Sequence, residues 1–538
     1  MSLKEICLLT ALTAISPAWA ILQCSTSDIQ EILPGGATVL RAVSLGPNST
    51  FGDVSEVAYP RNSTGLPALC ALTINVTSSP TSSFRFGLYL PQEWNTRFAA
   101  VGTGGIDGGI NWPAMGPMVK YGFAVASTDT GHNSTNSSAT WALSGPETVT
   151  DWAYRAVHGS TVLAKQIVSA YYAAPINFSY YNGCSTGGRQ GLVEAVRYPE
   201  DFDGILVGAP AWQVERTVVW LVQQAAYNLP NTSDHAIPVA KNTLIRDEAL
   251  RQCDGVDGVV DGVISAPEIC AFRPETLLCR GEEAESCLTA PQINTLHLLY
   301  GTRYDVDKPV VYHPYVLGSE TEWTRFLPPN APLPMATNAF RDIFLRNATW
   351  DWRDLNYTLA EDVLNNRQIN ATLTTFDLVP FASRGGKLLH WHGLADALVP
   401  YTSSQHFYEL VYGKVTSEGV EMDGSYRLFL VPGLGHCARS ANNAPWYFAG
   451  ANQPESMGTG VYGVPGFRDA AHDGVLALMQ WVENGIPPKS LVVTKFANDT
   501  ISSGVKSQRK VCPYPSQARL VGQDVHVAQD WTCSVETA

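Results

Sequence analysis

The chain has 538 residues, of which 45% are hydrophobic, so it can form one large domain with an insertion or two to three domains. Its formal net charge of −14 disfavours nucleic acid as a partner, because phosphates are bound by Lys and Arg side chains. The acidic balance carries no positive information about a substrate, and no internal repeat or long low-complexity run is evident.

The first 20 residues have the pattern of a secretory signal peptide. Lys4 provides a positive charge, an apolar segment follows, and Ala18-Trp19-Ala20 has the small-x-small form of a cleavage site. A short N-terminal core helix is the alternative. No other stretch has the roughly 20 continuous apolar residues needed to cross a bilayer. We therefore expect a secreted, extracellular protein with no membrane partner.

Cysteines and glycosylation sequons favour the same compartment. The chain has 11 cysteines, and removal of the signal peptide also removes Cys7, which leaves ten. An even number in an oxidising compartment predicts disulfides. Proximity in the sequence suggests the pairs Cys24–Cys70, Cys253–Cys270, Cys279–Cys287 and Cys512–Cys533. Cys184 and Cys437 are then left over. Asn-x-Ser/Thr acceptor sequences occur at Asn48, Asn62, Asn75, Asn133, Asn136, Asn177, Asn231, Asn347, Asn356, Asn370 and Asn498.

Strands and helices alternate through the first part of the chain. Short apolar runs separated by turns predict a β-rich region from residue 21 to about 95. Buried strands are predicted at 97–101, 122–126 and 202–207. Helical spacing of apolar residues predicts a helix over 151–171. This alternation is typical of an α/β fold, in which helices cover a mostly parallel sheet.

The pattern changes between about residues 212 and 376. Local cysteine pairs and Asp-Gly repeats appear there, together with scattered aromatic residues. These are Trp220, Trp323, Phe326, Trp350, Trp352 and Tyr357. We interpret this segment as an inserted lid domain. The alternation then resumes, with strands predicted at 387–391 and 426–431 and a helix at 475–482 that ends before Gly485.

A Gly-x-Ser-x-Gly sequence, Gly183-Cys184-Ser185-Thr186-Gly187, lies between an apolar run and a helical run. This context is typical of a nucleophile elbow, in which the glycines permit a sharp turn and the serine projects at the N-terminus of a helix. A glycine-rich turn with an incidental serine is the alternative. We expect Ser185 to be the nucleophile.

A serine nucleophile needs a base, and the base needs an orienting carboxylate. In α/β-hydrolases the acid follows the serine in the chain and the histidine follows the acid. Asp396 and His436 each follow a late predicted strand, where open α/β sheets place their sites. His392 precedes the acid and breaks this order. His158 lies in a predicted helix and is better explained as a core or surface histidine.

The two leftover cysteines adjoin the predicted nucleophile and base. Cys184 precedes Ser185, and Cys437 follows His436. A disulfide holds its Cα atoms about 4.4–6.8 Å apart, and the next residue is about 3.8 Å further along the chain. A Cys184–Cys437 bond would therefore hold the serine beside the histidine.

Taken together, Cys184-Ser185, Asp396 and His436-Cys437 resemble the CS-D-HC motif of the tannase/feruloyl esterase family. The resemblance covers nearly the whole mature chain and is specific at 180–191, 384–389 and 481–485. It implies an α/β-hydrolase core with a large inserted lid domain. The catalytic domain would then comprise 21–211 and 377–538, and the lid domain 212–376.

The resemblance also implies a serine esterase mechanism, with Ser185 attacking the ester, His436 moving the proton and Asp396 orienting the imidazole. The oxyanion needs N–H donors. Thr186, which follows the nucleophile, supplies one, and by analogy with the hydrolase pattern the turn Gly104-Gly105 supplies the other, from Gly105. Plain backbone geometry is the alternative for that turn.

A second constellation lies between Cys253 and Cys270, where three aspartates fall within eight residues. They repel one another unless solvent or a cation intervenes, and calcium takes 6–8 oxygen ligands. The resemblance implies a structural Ca²⁺ in the lid. Its ligands would be the side chains of Asp254, Asp257 and Asp261 and the carbonyls of Val259 and Val263. Asp-Gly turns without metal are one alternative. An EF-hand from Asp257 to Glu268 is another, but Val259 occupies its third position.

The expected function is a secreted serine esterase that releases ferulic and related hydroxycinnamic acids from plant cell-wall polysaccharide esters. The expected partner is a feruloylated polysaccharide or a small phenolic ester. Tannase activity on galloyl esters is the alternative enzyme. A non-catalytic polysaccharide-binding glycoprotein is the alternative of a different class. The lid aromatics could stack on a phenolic ring, although a core position explains any single one as well.

Overall fold

The computed structural model describes residues 22–301 and 312–534, so the predicted signal peptide lies outside the described residues. The strands are β1 (Ala37–Leu45), β2 (Ser49–Phe51), β3 (Ser63–Leu66), β4 (Leu69–Ser79), β5 (Ser82–Pro91), β6 (Arg97–Val101), β7 (Ala124–Thr128), β8 (Phe178–Cys184), β9 (Gly204–Gly208), β10 (Lys387–Gly393), β11 (Tyr426–Val431), β12 (Leu491–Phe496), β13 (Val505–Val511), β14 (Gln517–Leu520) and β15 (Trp531–Ser534).

The α-helices alternate with these strands, and short 3₁₀ and π-helical turns lie between them. They are α1 (Thr26–Glu31), α2 (Trp112–Val119), α3 (Pro146–Thr150), α4 (Ala156–Tyr172), α5 (Thr186–Arg197), α6 (Val214–Tyr227), α7 (Asn242–Cys253), α8 (Ala290–Tyr300), α9 (Trp323–Phe326), α10 (Pro334–Asn338), α11 (Tyr357–Asn366), α12 (Val379–Ser383), α13 (Thr402–Ser417), α14 (Gln453–Met457) and α15 (Gly474–Asn484). Within the described residues, no helix is both long and apolar enough to cross a membrane.

Nine strands form the main sheet, in the order β1-β4-β5-β7-β6-β8-β9-β10-β11. The first four are antiparallel neighbours, and from β7 to β11 every pair is parallel. The β-rich N-terminal region thus adds an antiparallel half to the predicted parallel sheet. β7 and β9 are buried along their whole length, as expected for strands covered on both faces by helices.

Most predicted boundaries agree with the structure to within a few residues. The strands predicted at 97–101 and 426–431 coincide with β6 and β11. The strand predicted at 122–126 begins two residues too early, because Gly122 has φ +89° and belongs to the turn after α2. The helix predicted over 151–171 is one continuous helical segment, with a π-helical first turn at Asp151–Arg155 followed by α4.

The described part of the segment between β9 and β10 contains α6 to α12 and no strand of the main sheet. Its largest hydrophobic cluster buries Trp220 and Trp323 and also includes Ala397, Leu398 and Val399 from the loop after β10. The segment therefore packs against the carboxyl end of the sheet. The lid boundaries at 212 and 376 stay a prediction.

All five expected disulfides are present. They are Cys24–Cys70, Cys184–Cys437, Cys253–Cys270, Cys279–Cys287 and Cys512–Cys533. The Cys184–Cys437 bond spans 253 positions of sequence and joins the end of β8 to the loop after β11. It therefore connects two separate loops at the carboxyl end of the parallel strands.

Candidate active site

Ser185 forms a sharp turn between β8 and α5, with φ 63° and ψ −122°. Its N–H donates to the carbonyl of Gly208 on the adjacent strand at 2.9 Å, and its own carbonyl accepts from the N–H of Arg189 at 2.9 Å. A positive φ is costly for a residue with a Cβ and persists only where the surroundings enforce it. This geometry is that of a nucleophile elbow, with the serine at the N-terminus of α5.

The glycines around the serine are required by close backbone approach. A Cβ on Gly183 would lie 2.5 Å from the carbonyl oxygen of Gly187. A Cβ on Gly187 would lie 3.0 Å from the carbonyl oxygen of Thr103, in the turn after β6. A larger residue at position 183 would clash within the elbow, and one at position 187 would push the elbow away from this turn, so the Gly-x-Ser-x-Gly spacing has a direct steric cause.

Asp396 and His436 form a buried hydrogen-bonded pair. Nδ1 of His436 lies 2.7 Å from Oδ2 of Asp396. The other carboxylate oxygen accepts from the N–H groups of Leu398 and Val399 at 2.8 and 2.9 Å. Because Nδ1 faces a carboxylate, it carries the proton, and Nε2 of His436 remains as the base.

The carboxyl group of Asp396 is held in its ionised form. Burial alone would raise its pKa, but the charge of His436 and hydrogen bonds from His392 and His436 outweigh burial and lower the pKa well below its usual range. The resulting carboxylate can stabilise an imidazolium on His436 at any working pH.

The disulfide brings the serine and the histidine to one place. The Cα atoms of Cys184 and Cys437 are 6.0 Å apart. Ser185 and His436 both line a cavity of about 730 Å³ at the carboxyl end of the sheet. The structure thus gathers the three residues that the sequence predicts as a triad.

The competing histidines have other contacts. His392 is fully buried at the end of β10, and its Nε2 donates to the carbonyl of Val399 at 2.7 Å and lies 3.2 Å from Asp396. Its Nδ1 lies 2.6 Å from Oγ of Ser404. It supports the acid from strand β10, where we had expected a hydrogen-bonding residue of the loop. His158 lies in α4 and contacts a different aspartate.

The predicted oxyanion donors lie beside the serine. The hydroxyl of Thr186 donates to the carbonyl of Gly105 at 2.8 Å, and Gly105 has φ +46°. The N–H groups on either side, of Gly104 and Ile106, donate to protein side chains at 2.8 and 2.7 Å. In the described part of the chain no hydrogen bond uses the N–H of Gly105, so it is available to a ligand.

Three residues hold this turn, and none of them is assigned to it from the sequence. The Gly104 N–H donates to the hydroxyl of Tyr59, and Gln190 on α5 contacts both the N–H and the hydroxyl of Thr103 at 3.1 and 3.0 Å. Asn136 accepts from the turn, and its own amide donates to Asp107 at 2.9 Å. The sequon nitrogen of Asn136 is therefore engaged within the protein.

The cavity combines polar and apolar surface. Besides the serine and the histidine it is lined by Tyr59, Gly105, Asp107, Asn111, Arg325, Phe326, Leu398 and Arg439. Burial raises the pKa of Asp107 to about 7, so this carboxyl is partly protonated near neutral pH. A mixed surface of this kind suits a ligand with one apolar ring and a few hydrogen-bonding groups.

Three aromatic residues of the segment between β9 and β10 separate into two groups. Phe326 lines the cavity. Trp220 and Trp323 instead pack on Tyr315, with ring centroids 5.0 and 5.4 Å away, in the interior of the segment. The core interpretation therefore applies to the two tryptophans, and Phe326 is the ring available to a bound molecule.

The predicted calcium segment folds around Asp254. Its carboxylate accepts from the N–H groups of Asp261 and Gly262 at 3.2 and 2.9 Å. The guanidinium of Arg509 is buried beside the other two carboxylates, 2.9 Å from Asp261 and 3.6 Å from Asp257. One positive charge thus faces three negative ones.

The three carboxylates carry more negative charge than the one guanidinium neutralises. Burial and the two neighbouring carboxylates raise the pKa of Asp261, and the charge of Arg509 opposes this rise. Carboxylate and carbonyl oxygens are the ligands that Ca²⁺ takes. Glu268, which the EF-hand alternative requires, accepts a hydrogen bond from the side chain of Gln517 at 3.2 Å.

Comparisons with known proteins identify relatives over most of this chain. The family model described as "Tannase and feruloyl esterase" matches residues 70–324 and 331–534. The chain is 31% identical over 507 residues to a probable feruloyl esterase B-1 of Aspergillus oryzae, which covers 93% of this chain and 89% of that protein.

Two crystal structures from Aspergillus oryzae are also similar. Feruloyl esterase B has a TM-score of 0.84 at 30% identity, over 95% of this chain and 99% of that one. A protein described as an esterase has a TM-score of 0.85 at 28% identity, over 96% and 100%. These matches confirm the α/β-hydrolase core. The chain therefore belongs to the tannase and feruloyl esterase family and is a carboxylic ester hydrolase.

Proposed function

We propose that this protein is a secreted serine esterase that releases ferulic and related hydroxycinnamic acids from esters of plant cell-wall polysaccharide. The observation that carries the proposal is the shared position of Ser185 and His436 on one cavity, with His436 on Asp396 and the Cys184–Cys437 bond behind them. The names of the relatives, feruloyl esterase B, supply the substrate class. The disulfides suit an oxidising compartment.

The first half of the reaction transfers the acyl group to the enzyme. Nε2 of His436 takes the proton from Oγ of Ser185, and Oγ attacks the ester carbonyl carbon. The carbonyl oxygen becomes an oxyanion that accepts from the N–H groups of Thr186 and Gly105. The tetrahedral intermediate then breaks its bond to the alcohol oxygen, which leaves with the proton from His436. Asp396 stabilises the imidazolium throughout.

The second half returns the enzyme to its starting state. His436 removes a proton from a water molecule, which attacks the acyl carbon of the ester on Ser185. The second oxyanion uses the same two N–H donors. Collapse breaks the bond to Oγ, the serine regains its proton from His436, and the free carboxylic acid leaves.

Substrate preference is tested with methyl ferulate and methyl gallate. We expect kcat/KM to be at least about tenfold higher for ferulate, because ferulate has two chain carbons that gallate lacks, and one extra carbon in an apolar pocket is worth about 1–3 kcal/mol of discrimination. A preference for gallate would support the tannase alternative. Covalent labelling of Ser185 by a fluorophosphonate tests the serine mechanism itself, and its absence would favour the non-catalytic polysaccharide-binding alternative.

We also propose a structural Ca²⁺ held by Asp254, Asp257, Val259, Asp261 and Val263, in a lid formed by residues 212–376. The excess of carboxylate charge around Arg509 supports it. The measurement is calcium content by mass spectrometry and Tm before and after chelation. One ion per chain is expected, with a Tm that falls on chelation.

Asp261→Asn is the variant for this site, and Glu268→Gln is its matched control. Glu268 is an exposed acid nearby and belongs to the EF-hand alternative. We expect Asp261→Asn to lose the ion and Glu268→Gln to keep it. Calcium loss in Glu268→Gln would instead favour the EF-hand alternative, and a metal-free native protein would favour simple Asp-Gly turns.

A further inference from the structure

One carboxylate from the segment between β9 and β10 reaches both loops that carry the Asp396–His436 pair. Glu322 ends the 3₁₀ turn Glu320–Glu322, which continues into α9. Its Oε2 accepts from the N–H of Ala397 at 3.1 Å, and Oε1 and Oε2 accept from the N–H of His436 at 3.2 and 3.0 Å. Because Ala397 follows Asp396, the carboxylate contacts the residue next to the acid in one loop and the backbone of the base in the other.

Both loops are shaped to receive this carboxylate. The N–H of Leu398 donates to Asp396 at 2.8 Å, and the preceding N–H, of Ala397, is left for Glu322. A Cβ on Gly435 would lie 2.5 Å from Oε1 of Glu322, so only glycine lets the carboxylate approach the base at this point. Buried N–H groups need acceptors, and here one side chain serves two loops.

The same helical turn also contacts the imidazole ring. Phe326 lies four residues after Glu322, on the same face of the turn. Its ring packs edge-on against His436, with centroids 5.9 Å apart and an interplanar angle of 87°. The turn therefore contacts His436 at its backbone and at its ring.

We propose that Glu322 is a positioning residue for ester hydrolysis, whose carboxylate ties the loop after β10 to the loop after β11 and so fixes the imidazole of His436 against Asp396. The inference rests on the proposed serine esterase function. Glu322 acts through the backbone of His436 and touches no reacting atom.

The charge of Glu322 gives this role a signature that packing alone would not produce. The titratable groups that face it are Asp396 and His436. Burial and the charge of Asp396 raise the pKa of Glu322 to about 7. The hydrogen bond from the N–H of Ala397 and the charge of His436 lower this pKa and so limit the rise. Glu322 therefore changes its charge near neutral pH, beside the pair that carries the reaction. A neutral replacement removes this change, and kcat/KM then loses the pH dependence near neutral pH that the titration of Glu322 contributes.

The test compares Glu322→Gln with Glu320→Gln. Glu320 is a matched carboxylate on the same turn, and its acceptor bonds are to the hydroxyl of Tyr300 at 2.5 Å and the N–H of Gly318 at 3.0 Å. We measure kcat and KM for methyl ferulate, the pH profile and Tm. Glu322→Gln should lower kcat about 10- to 100-fold with a smaller change in KM, because small misplacements of a base are costly. Glu320→Gln should keep kcat and the pH profile.

A folded Glu322→Gln with wild-type kcat and an unchanged pH profile near neutral pH would overturn the inference. So would losses of kcat in both variants that follow their losses of Tm. If Glu322→Gln does not fold, Glu322→Asp takes its place, since it keeps the charge but shortens the reach. It should lose kcat and retain the pH dependence near neutral pH, and wild-type kcat in that variant would refute the positioning role.

Fluorophosphonate labelling separates this inference from the proposed function. Unlabelled wild-type protein would count against the serine mechanism. Labelled wild-type protein together with an equally fast reaction in Glu322→Gln would count against the role of Glu322 alone. Slower labelling in Glu322→Gln than in Glu320→Gln is the expected result.

Discussion

Two histidine–aspartate pairs in this molecule have the same contact distance and different surroundings. Nδ1 of His436 lies 2.7 Å from Oδ2 of Asp396, and Nδ1 of His158 lies 2.7 Å from Oδ2 of Asp201. Both aspartates are buried. A short contact between imidazole and carboxylate therefore does not identify an active site in this fold.

The pairs differ in what surrounds the imidazole. His436 lines the cavity with Ser185. His158 is a partly exposed residue of α4, stacked on Tyr198 with ring centroids 3.7 Å apart, and the nearby Lys165 donates to the carbonyl of Asp201. The first pair has a nucleophile within its cavity, and the second is part of a structural network that ties α4 to the end of α5.

Each aspartate also has a second carboxyl group beside it. Glu322 accepts from two backbone N–H groups near Asp396. Glu194 is buried beside Asp201, and burial together with that neighbouring carboxylate raises the pKa of Glu194 well above its usual value. Burial thus raises the pKa of both glutamates. Backbone N–H groups and the charge of His436 oppose this rise at Glu322, whereas the neighbouring Asp201 adds to it at Glu194.

The largest expected effect is the loss of the nucleophile that only one pair possesses. Ser185→Ala should lower kcat on methyl ferulate about 10⁴- to 10⁶-fold, because neither the base nor the oxyanion donors can replace the hydroxyl. Ser179→Ala, on the same strand, serves as the control and should retain kcat. Activity above about 1% of wild type in a folded Ser185→Ala would contradict the assignment.

The two aspartates should respond differently to the same substitution. Asp396→Asn should lower kcat about 10⁴-fold, since an amide favours the wrong imidazole tautomer and cannot stabilise the imidazolium. Asp201→Asn should change kcat less than about threefold and lower Tm, because it removes a buried partner of His158. Steady-state kinetics and thermal unfolding of both variants provide the measurement. Similar losses of kcat in both variants would end the distinction between the pairs.

The Cys184–Cys437 disulfide is the third difference between the Asp396–His436 pair and the Asp201–His158 pair. Cys184→Ala with Cys437→Ala should lower kcat about 10- to 100-fold at temperatures well below Tm, because Ser185 and His436 lose their tether. Stability should also fall, by about 2–5 kcal/mol. Cys512→Ala with Cys533→Ala is the control, since that bond joins other strands and should affect Tm alone. Unchanged kcat in the first double variant would count against the tether and leave the triad intact.

The parts of the site that the sequence predicts are those with a local signature. Ser185 lies between glycines at the end of an apolar run, and His436 adjoins a cysteine that has no local partner. Glu322, by contrast, is 75 and 114 positions away from the N–H groups it accepts from. No neighbouring residue distinguishes it from Glu320. Contacts of this length depend on how the segment between β9 and β10 packs on the sheet.

The same limit applies to the fold. The parallel half of the sheet is predictable because each strand is a short run buried on both faces and each connection is helical. The pairing of the N-terminal strands with that sheet is not predictable, because a separate β-rich domain would show the same local pattern. Trp323 and Phe326 lie three residues apart on one helical turn and share one hydrophobic cluster, yet only Phe326 also lines the cavity. The direction in which α9 faces decides this, and it is set by tertiary packing.

The smallest expected effect concerns the proton on Glu194 and separates the two carboxyl pairs by pH. A carboxyl whose pKa is raised in the folded state contributes stability that is complete below its unfolded pKa of about 4.5 and is lost as pH rises, because the unfolded chain then ionises and the folded one does not. Glu194→Gln removes this loss. We compare Tm of Glu194→Gln minus Tm of wild type at two pH values. This difference should be about 1–3 °C higher at pH 8 than at pH 4.5. Glu200→Gln, an exposed acid nearby, should show no such trend. Parallel Tm profiles for wild type and Glu194→Gln would mean that Glu194 is ionised in the folded protein, as Glu322 is above neutral pH, and that the two carboxyl pairs are electrostatically alike.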